Sequence, residues 1–285
     1  LGFDKLHWHQ LQWFDILEGR EPRDMDPAQT YEPGRPNRIL ITTPPNHAKT
    51  TTITIAYVVW RICKDSNDHI VLISKSQRRA MEFLYAIQKY LSHPTYRNLQ
   101  QDFGPVEGWK KTSAAWTKTQ ITLVGEEADG EKDPTVQVLG IGGQIYGVRA
   151  NLIVLDDCVD LTNAQQYEQQ ITWFAQEVLS RPGQLTGLIV CVGTRVAAID
   201  FYSELRTRFP GVYTYFASPA VLEYADQVED WRVLWPERPD TSAEALSLAR
   251  SQLPPASWAR AYQQQSISDD SLFPADKFMA TVQAR

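Results

Sequence analysis

Continuous apolar runs and stretches with helical spacing alternate along this chain. The runs 70–73, 152–155 and 188–192 are apolar at every position, which is typical of parallel strands covered on both faces. The pattern predicts strands at 38–42, 69–74, 152–155, 188–192 and 213–217 and helices at 1–20, 49–63, 77–91, 164–179 and 200–209. Strands that alternate with helices in this way predict an α/β fold with a mainly parallel central sheet flanked by helices.

Three regions depart from this alternation. Residues 92–118 are predicted to be irregular, and residues 120–124 and 135–139 are predicted to form a hairpin around an acidic tip. Residues 220–285 are polar, helical in pattern and interrupted by prolines. We therefore divide the chain into a core domain, residues 1–219, and a small helical lid or linker subdomain, residues 220–285.

Composition narrows the class of protein. The chain has 285 residues, of which 43% are hydrophobic and 22% are charged, as in a soluble globular protein. No run approaches the roughly 18 apolar residues of a membrane-spanning helix. A net charge of −6 argues against a surface that binds polyanions as a whole, although a local basic patch stays compatible with it. The three cysteines lack metal-ligand spacing, which argues against a zinc site.

A candidate phosphate loop lies between the first long predicted strand and the helix that comes after it. The segment Thr-Pro-Pro-Asn-His-Ala-Lys-Thr-Thr occupies residues 43–51. A strand, a loop and a helix N-terminus are the context of a Walker A motif, in which a Lys reaches the β- and γ-phosphates and a hydroxyl binds Mg²⁺. Lys49 and Thr50 fit these two roles. The candidate nucleotide-binding residues of the loop are Pro45, Asn46, His47, Ala48, Lys49, Thr50 and Thr51.

The loop departs from the usual motif, because Thr43 and Ala48 stand where glycines are expected. Taken alone, the segment is equally compatible with a Pro-rich turn before an amphipathic helix whose Lys is solvated. Its assignment therefore depends on a second motif, about a hundred residues further along the chain.

This second motif ends the apolar strand 152–155, which is followed by Asp156 and Asp157. It is a Walker B pattern, in which Asp156 would hold Mg²⁺ and Asp157 would orient or deprotonate the attacking water. An Asp-rich turn is the alternative for this motif alone. The two motifs in this order favour a P-loop ATPase that uses ATP and Mg²⁺.

The strand predicted at 188–192 ends in Gly193-Thr194-Arg195. A small polar side chain at the tip of a neighbouring strand can sense the γ-phosphate, so Thr194 is a further nucleotide-binding candidate. A plain strand-to-loop turn is the alternative.

The run from Gly140 to Asp157, GIGGQIYGVRANLIVLDD, resembles the large terminase subunit of tailed bacteriophages. The loop PPNHAKTT is similar to that family's Pro-Pro-x-His-Gly-Lys-Ser variant of Walker A. Trp173-Phe174, Arg181-Pro182-Gly183 and Gly193-Thr194-Arg195 follow the order of the family's motifs. The resemblance covers residues 1–275 and implies a RecA-like P-loop NTPase domain of the ASCE class. In that family the domain hydrolyses ATP and translocates double-stranded DNA into a procapsid.

The resemblance also implies partners. They are double-stranded DNA, a portal protein, a small terminase subunit and further copies of the chain in a ring, with a monomer expected for the domain alone. The implied location is the host cytoplasm, at the procapsid portal, with no membrane association. Residues 271–278 resemble the junction into the family's nuclease domain. No nuclease activity is expected of this chain.

Three site residues are implied by the resemblance rather than by spacing. The family places a Gln against adenine, for which Gln10 is the first candidate and Gln12 the second; two Gln on an exposed helix face are the alternative. Arg149 matches a position implicated as an arginine finger that acts on a neighbouring subunit. An Arg paired with a nearby carboxylate is the alternative. Asn46 stands where some relatives carry an Arg in the loop, which adds weight to Arg149.

Two other functions stay open. A helicase-like P-loop ATPase would need a second RecA-like domain, for which residues 220–285 are too short. A nucleotide-binding scaffold that does not hydrolyse ATP is favoured by Ala48 in place of Gly and by Asp157 in place of Glu.

Overall fold

The computed structural model of the chain describes residues 5–123, 133–145 and 149–267. Three predicted features lie outside the described residues: most of the hairpin tip, residues 146–148 of the motif that precedes Asp156, and the candidate junction 271–278.

The strands are β1 (Thr30–Glu32), β2 (Arg35–Thr42), β3 (Ile70–Ser74), β4 (Ala115–Trp116), β5 (Gln120–Thr122), β6 (Val136–Gly140), β7 (Leu152–Asp156), β8 (Leu188–Gly193), β9 (Tyr213–Ala217), β10 (Val221–Glu223) and β11 (Arg232–Val233). The α-helices are α1 (Trp8–Leu17), α2 (Tyr57–Lys64), α3 (Gln77–Ser92), α4 (Arg97–Phe103), α5 (Trp109–Thr112), α6 (Tyr167–Trp173), α7 (Phe201–Arg208), α8 (Ala243–Gln252) and α9 (Pro255–Ala261). A π-helical segment, Thr50–Ala56, leads into α2, and a second one, Phe174–Val178, extends α6.

The central sheet has the strand order β1-β9-β2-β8-β7-β3-β6-β5-β4. From β9 to β6 the neighbouring strands are parallel, and the outer strands β1, β5 and β4 pair antiparallel. Because parallel strands run in one direction, the ends of β2, β8 and β7 lie at the same edge of the sheet. The loop after β2 and the carboxylates of β7 therefore flank the tip of β8.

Alternating burial on the two faces of the sheet explains the continuous apolar runs. Ile39 and Val154 belong to one apolar cluster, whereas Leu40 and Ile153 belong to another. Successive side chains in a strand point to opposite faces, so each face of these strands needs apolar residues. The predicted parallel sheet with two covered faces is confirmed.

Helices from both sides close these clusters. Phe83, Leu84 and Ile87 of α3 pack on one face, and Phe174 and Phe201 pack on the other. None of the helices in the described part of the chain is long and apolar enough to cross a lipid bilayer.

Several element predictions were wrong in detail. The segment predicted to be irregular, 92–118, contains α4 and α5, which are too short to show a helical period in the sequence. The first helix is α1, Trp8–Leu17, so residues 5–7 and 18–20 of the predicted helix are not α-helical, and residues 1–4 lie outside the described residues. The described part of residues 220–285 contains α8 and α9 as predicted helical elements. It also contains the antiparallel pair β10 and β11, which the helical pattern did not predict. These elements share a cluster of Val221, Val233, Leu246 and Trp258. The division of the chain after residue 219 stays a prediction.

Candidate functional site

The loop after β2 takes a backbone conformation usually reserved for glycine. Asn46 and Ala48 have φ angles of 65° and 62°. For a residue with a Cβ, the left-handed region costs about 1–2 kcal/mol, and Asn tolerates it better than Ala does. The chain therefore keeps glycine-like geometry before Lys49 although it has no glycine there. This geometry favours a phosphate loop over an ordinary Pro-rich turn.

Lys49 and Asp157, from the two separate motifs, meet at this edge of the sheet. The Lys49 Nζ lies 3.2 Å from Asp157 Oδ2. Lys49 is 9% exposed, and Asp157 has a φ of 47°, with its N–H donating to the carbonyl of Val192 at 3.0 Å. The turn at Asp157 thus directs its carboxylate back toward the phosphate loop. The predicted proximity of the two motifs is present in the fold.

Asp156 is fully buried beside two threonine hydroxyls. Thr54 Oγ1 donates to Asp156 Oδ2 at 2.6 Å, and a hydrogen bond from the Thr50 hydroxyl also acts on this carboxyl. Burial, and secondarily the charge of Asp157, raise the pKa of Asp156 to about 7. Its Oδ1 has no hydrogen-bond partner among the described residues.

This environment fits a bound divalent cation. A buried carboxylate with a free oxygen, next to a hydroxyl at the start of a helix, is a ligand set that Mg²⁺ uses together with substrate phosphates. No group of three or more His, Cys, Asp or Glu that could hold a metal occurs in the described part of the chain. The assignment of Asp156 and Thr50 as the residues that would hold Mg²⁺ stays a prediction.

Thr54 was missed by the sequence analysis, although its position follows from the motif. It comes four residues after Thr50 on the same helical segment, and residues at this spacing lie on one helix face. A hydroxyl one turn after the Mg²⁺ candidate is therefore placed to hold the Walker B carboxylate. That relation could have been used as a sequence criterion.

Thr194 connects the tip of β8 to the start of the phosphate loop. Its hydroxyl donates to the carbonyl of Thr43 at 2.9 Å, and the Thr43 N–H donates to the carbonyl of Gly193 at 3.0 Å. Sensing of a γ-phosphate by Thr194 stays a prediction.

The two candidate adenine ligands on α1 differ in their hydrogen bonds. Both Gln10 and Gln12 are 0% exposed, so the alternative of an exposed helix face is wrong. The Gln12 amide donates to the carbonyl of Arg23 at 2.7 Å and exchanges hydrogen bonds with Gln29, which makes it a structural residue. Gln10 Oε1 accepts from the N–H of His7 at 3.0 Å, and its Nε2 has no partner among the described residues. Gln10 therefore remains the candidate with a free donor.

Arg149 lies at the opposite edge of the sheet from the phosphate loop. It precedes β7, whereas Asp156 ends it, and at about 3.3 Å per residue the two are roughly 20 Å apart along the strand. Its N–H donates to the Asp133 carboxylate at 3.1 Å. Its side chain is exposed and forms no ion pair with a described residue, so the alternative of a carboxylate partner is not seen there. Its side chain is therefore too far along the strand to contact Asp156 of its own chain, and its role as an arginine finger stays a prediction.

Comparison with known proteins gives matches to large terminase subunits of phages. No family model matches the chain. Over 156 residues, or 54% of the chain, it is 28% identical to a protein described as "Terminase, large subunit" of Enterobacteria phage T3, and the match spans 25% of that relative's length.

The solved structures that resemble the fold include two of the large terminase ATPase domain of Thermus phage P74-26, one of them an Arg-to-Ala mutant. The mutant has a TM-score of 0.55 and 12% identity to this chain, and the other has a TM-score of 0.54 and 13% identity. Each comparison covers 94% of this chain and 96% of the other. These matches confirm the predicted fold class and the resemblance to phage large terminases.

Proposed function

We propose that this chain is the ATP-hydrolysing motor domain of a phage DNA-packaging terminase, which translocates double-stranded DNA into a procapsid. The observation that carries the proposal is the meeting of Lys49 and Thr50, after β2, with Asp156 and Asp157, at the end of β7. They meet within an α/β fold that also occurs in terminase ATPase domains. The nucleotide, the metal and the motor activity all belong to the proposal.

The chemistry follows from the positions of these groups. Bound Mg²⁺ supplies charge neutralisation at the phosphates, and Thr50 and Asp156 would hold it. Lys49 would bind the β- and γ-phosphate oxygens, for which it has to leave Asp157. The released Asp157 carboxylate then orients the attacking water and takes up its proton. Nucleotide binding would thereby also free the Asp157 carboxylate to act on the water.

Arg149 supports a ring of subunits. Because it lies at the sheet edge away from its own phosphate loop, its guanidinium would act on the nucleotide of another chain rather than on its own. A neighbour that contributes this charge would accelerate turnover, as arginine fingers do in other P-loop enzymes. The proposed assembly includes further copies of the chain. The portal protein, the small terminase subunit and DNA as its partners, and the host cytoplasm at the procapsid portal as its location, rest on the similarity to phage large terminases.

ATP turnover by the assembled motor tests the proposal. We expect hydrolysis with the unchanged chain and a loss of at least about 100-fold with Lys49→Ala or with Asp157→Asn. Asp160→Asn is the matched control, because Asp160 follows the same strand end but pairs with Lys75 at 2.8 Å, and it should leave turnover within about twofold. Nucleotide binding without turnover in the assembly would instead identify a non-hydrolysing scaffold.

A further inference from the structure

Between the two left-handed residues of the phosphate loop lies the fully buried side chain of His47. His47 is 0% exposed, whereas Asn46 is exposed and Ala48 is half-buried. Its Nδ1 lies 2.7 Å from the carbonyl oxygen of Pro45. Since a carbonyl only accepts, Nδ1 carries the proton and donates it. The side chain thus bridges back across the loop to the residue that precedes Asn46.

Aromatic rings hold this imidazole from the other side. The ring of His9, on α1, lies 6.0 Å from that of His47, in an edge-on arrangement. His9 in turn packs against Trp13 at 5.0 Å and against Trp235 at 5.3 Å. The His47 side chain therefore packs against α1 through His9, and the His9 ring in turn packs against Trp13 and Trp235.

The protonation state of His47 agrees with a structural donor. Burial lowers its pKa to about 4, and the charges of Lys49, Arg238 and His7 act in the same direction. The hydrogen bond to Pro45 opposes this change but does not offset it. The imidazole is neutral at physiological pH. It therefore adds no positive charge to the phosphate site.

We propose that His47 is a positioning residue that holds the phosphate loop in its left-handed conformation in the absence of glycines. In a glycine-rich loop this conformation is accessible without strain, whereas Ala48 disfavours it. The anchored imidazole supplies the restraint that keeps the Lys49 N–H and side chain directed at the phosphates. His47 does this without contact to the reacting atoms. The proposal rests on the proposed nucleotide site for its ligand.

Equilibrium binding of a fluorescent ATP analogue to the full chain tests this role. His47→Leu keeps apolar volume and removes the donor, and we expect it to weaken binding about tenfold. His47→Asn places an amide donor at the position of Nδ1 and should restore binding to within about threefold of the unchanged chain. In the assembled motor, the KM for ATP should rise about tenfold for His47→Leu and return to within about threefold of the unchanged chain for His47→Asn.

A double substitution separates positioning from general damage to the loop. Ala48→Gly removes the strain that His47 opposes, so His47→Leu combined with Ala48→Gly should recover most of the lost affinity. Thermal unfolding of each variant checks that binding is measured on folded protein. Equal loss in His47→Leu and His47→Asn, or no recovery with Ala48→Gly, would overturn the proposal. So would unchanged affinity in His47→Leu, whereas a failure of the unchanged chain to bind the analogue would count against the nucleotide site itself.

Discussion

Replacing Asp156 with Asn is expected to remove a pH-dependent loss of stability from the nucleotide-free protein. The pKa of Asp156 is raised from 3.8 to about 7 by burial and by the neighbouring charge of Asp157. When folding raises the pKa of a carboxyl, the group contributes its full stability at pH values below its pKa in the unfolded state. This contribution is lost as pH rises through its pKa in the folded state. The wild-type chain should therefore lose stability between about pH 4 and about pH 8 through this group. The Asn variant should not.

The size of the effect follows from the shift. A change from 3.8 to about 7 is roughly three pKa units, and at 1.36 kcal/mol per unit it corresponds to about 4 kcal/mol as an upper value. For a chain of this size, 1 kcal/mol moves the melting temperature by about 2–4 °C. We expect the melting temperature of Asp156→Asn, relative to that of the wild type, to rise by at least about 4 °C from pH 5 to pH 8. A quarter to a half of the full free-energy effect is enough to produce this change. Mg²⁺ with a non-hydrolysable ATP analogue should reduce the difference, because the wild-type carboxylate then has a cation partner.

Differential scanning calorimetry of both chains, without nucleotide, measures this difference. Asp160→Asn is the matched control, because hydrogen bonds from Lys75 and Thr162 lower the pKa of Asp160 to about 2. The ionised Asp160 therefore stabilises the fold at pH values above its pKa in the unfolded state. This stabilisation is lost only as pH falls through its folded-state pKa of about 2. The control should shift the melting temperature equally at pH 5 and pH 8. Parallel pH profiles of Asp156→Asn and the wild type would refute the reasoning.

Three further substitutions have expected outcomes. Asp157→Asn should release Lys49 from its partner at 3.2 Å and tighten binding of an ATP analogue by about threefold, since a partly exposed ion pair contributes up to about 1 kcal/mol; weaker binding in a fluorescence titration would contradict this. Gly193→Ala should lower stability to denaturant by about 1–3 kcal/mol, because a Cβ there would lie 2.2 Å from the Tyr202 hydroxyl; an unchanged unfolding midpoint would count against that packing. Arg149→Ala should abolish turnover in assemblies and leave analogue affinity nearly intact, and a large loss of affinity would show that Arg149 is a ground-state ligand.

The central parallel strands and the two motifs could be predicted because each depends on local residue types. A parallel strand buried on both faces is apolar at successive positions, and β3, β7 and β8 show this without exception in their burial. Acids at the end of such a strand are visible in the same pattern. The shared edge of β2 and β7 then follows from the rule that parallel strands of an α/β sheet present their carboxyl ends together.

The burial of α1 could not be predicted, because it depends on contacts between distant parts of the chain. Gln12 is polar by sequence, yet its amide is enclosed by Gln29, which in turn donates to the Ser218 hydroxyl at 2.9 Å. A polar residue is buried when partners satisfy its hydrogen bonds, and the partner here is 189 positions away in the chain from Gln29. Periodicity within one helix carries no information about such a network.

The phosphate loop also could not be identified from its own residues alone, because it lacks the glycines of the usual motif. A motif search asks for glycine because glycine reaches positive φ without strain, but the physical requirement is the backbone angle rather than the residue. Asn46 and Ala48 both reach that angle, and the buried donor at His47 gives a means of keeping it. A sequence that lacks the glycines can therefore retain the loop, provided that a side chain inside the loop is anchored by the rest of the fold.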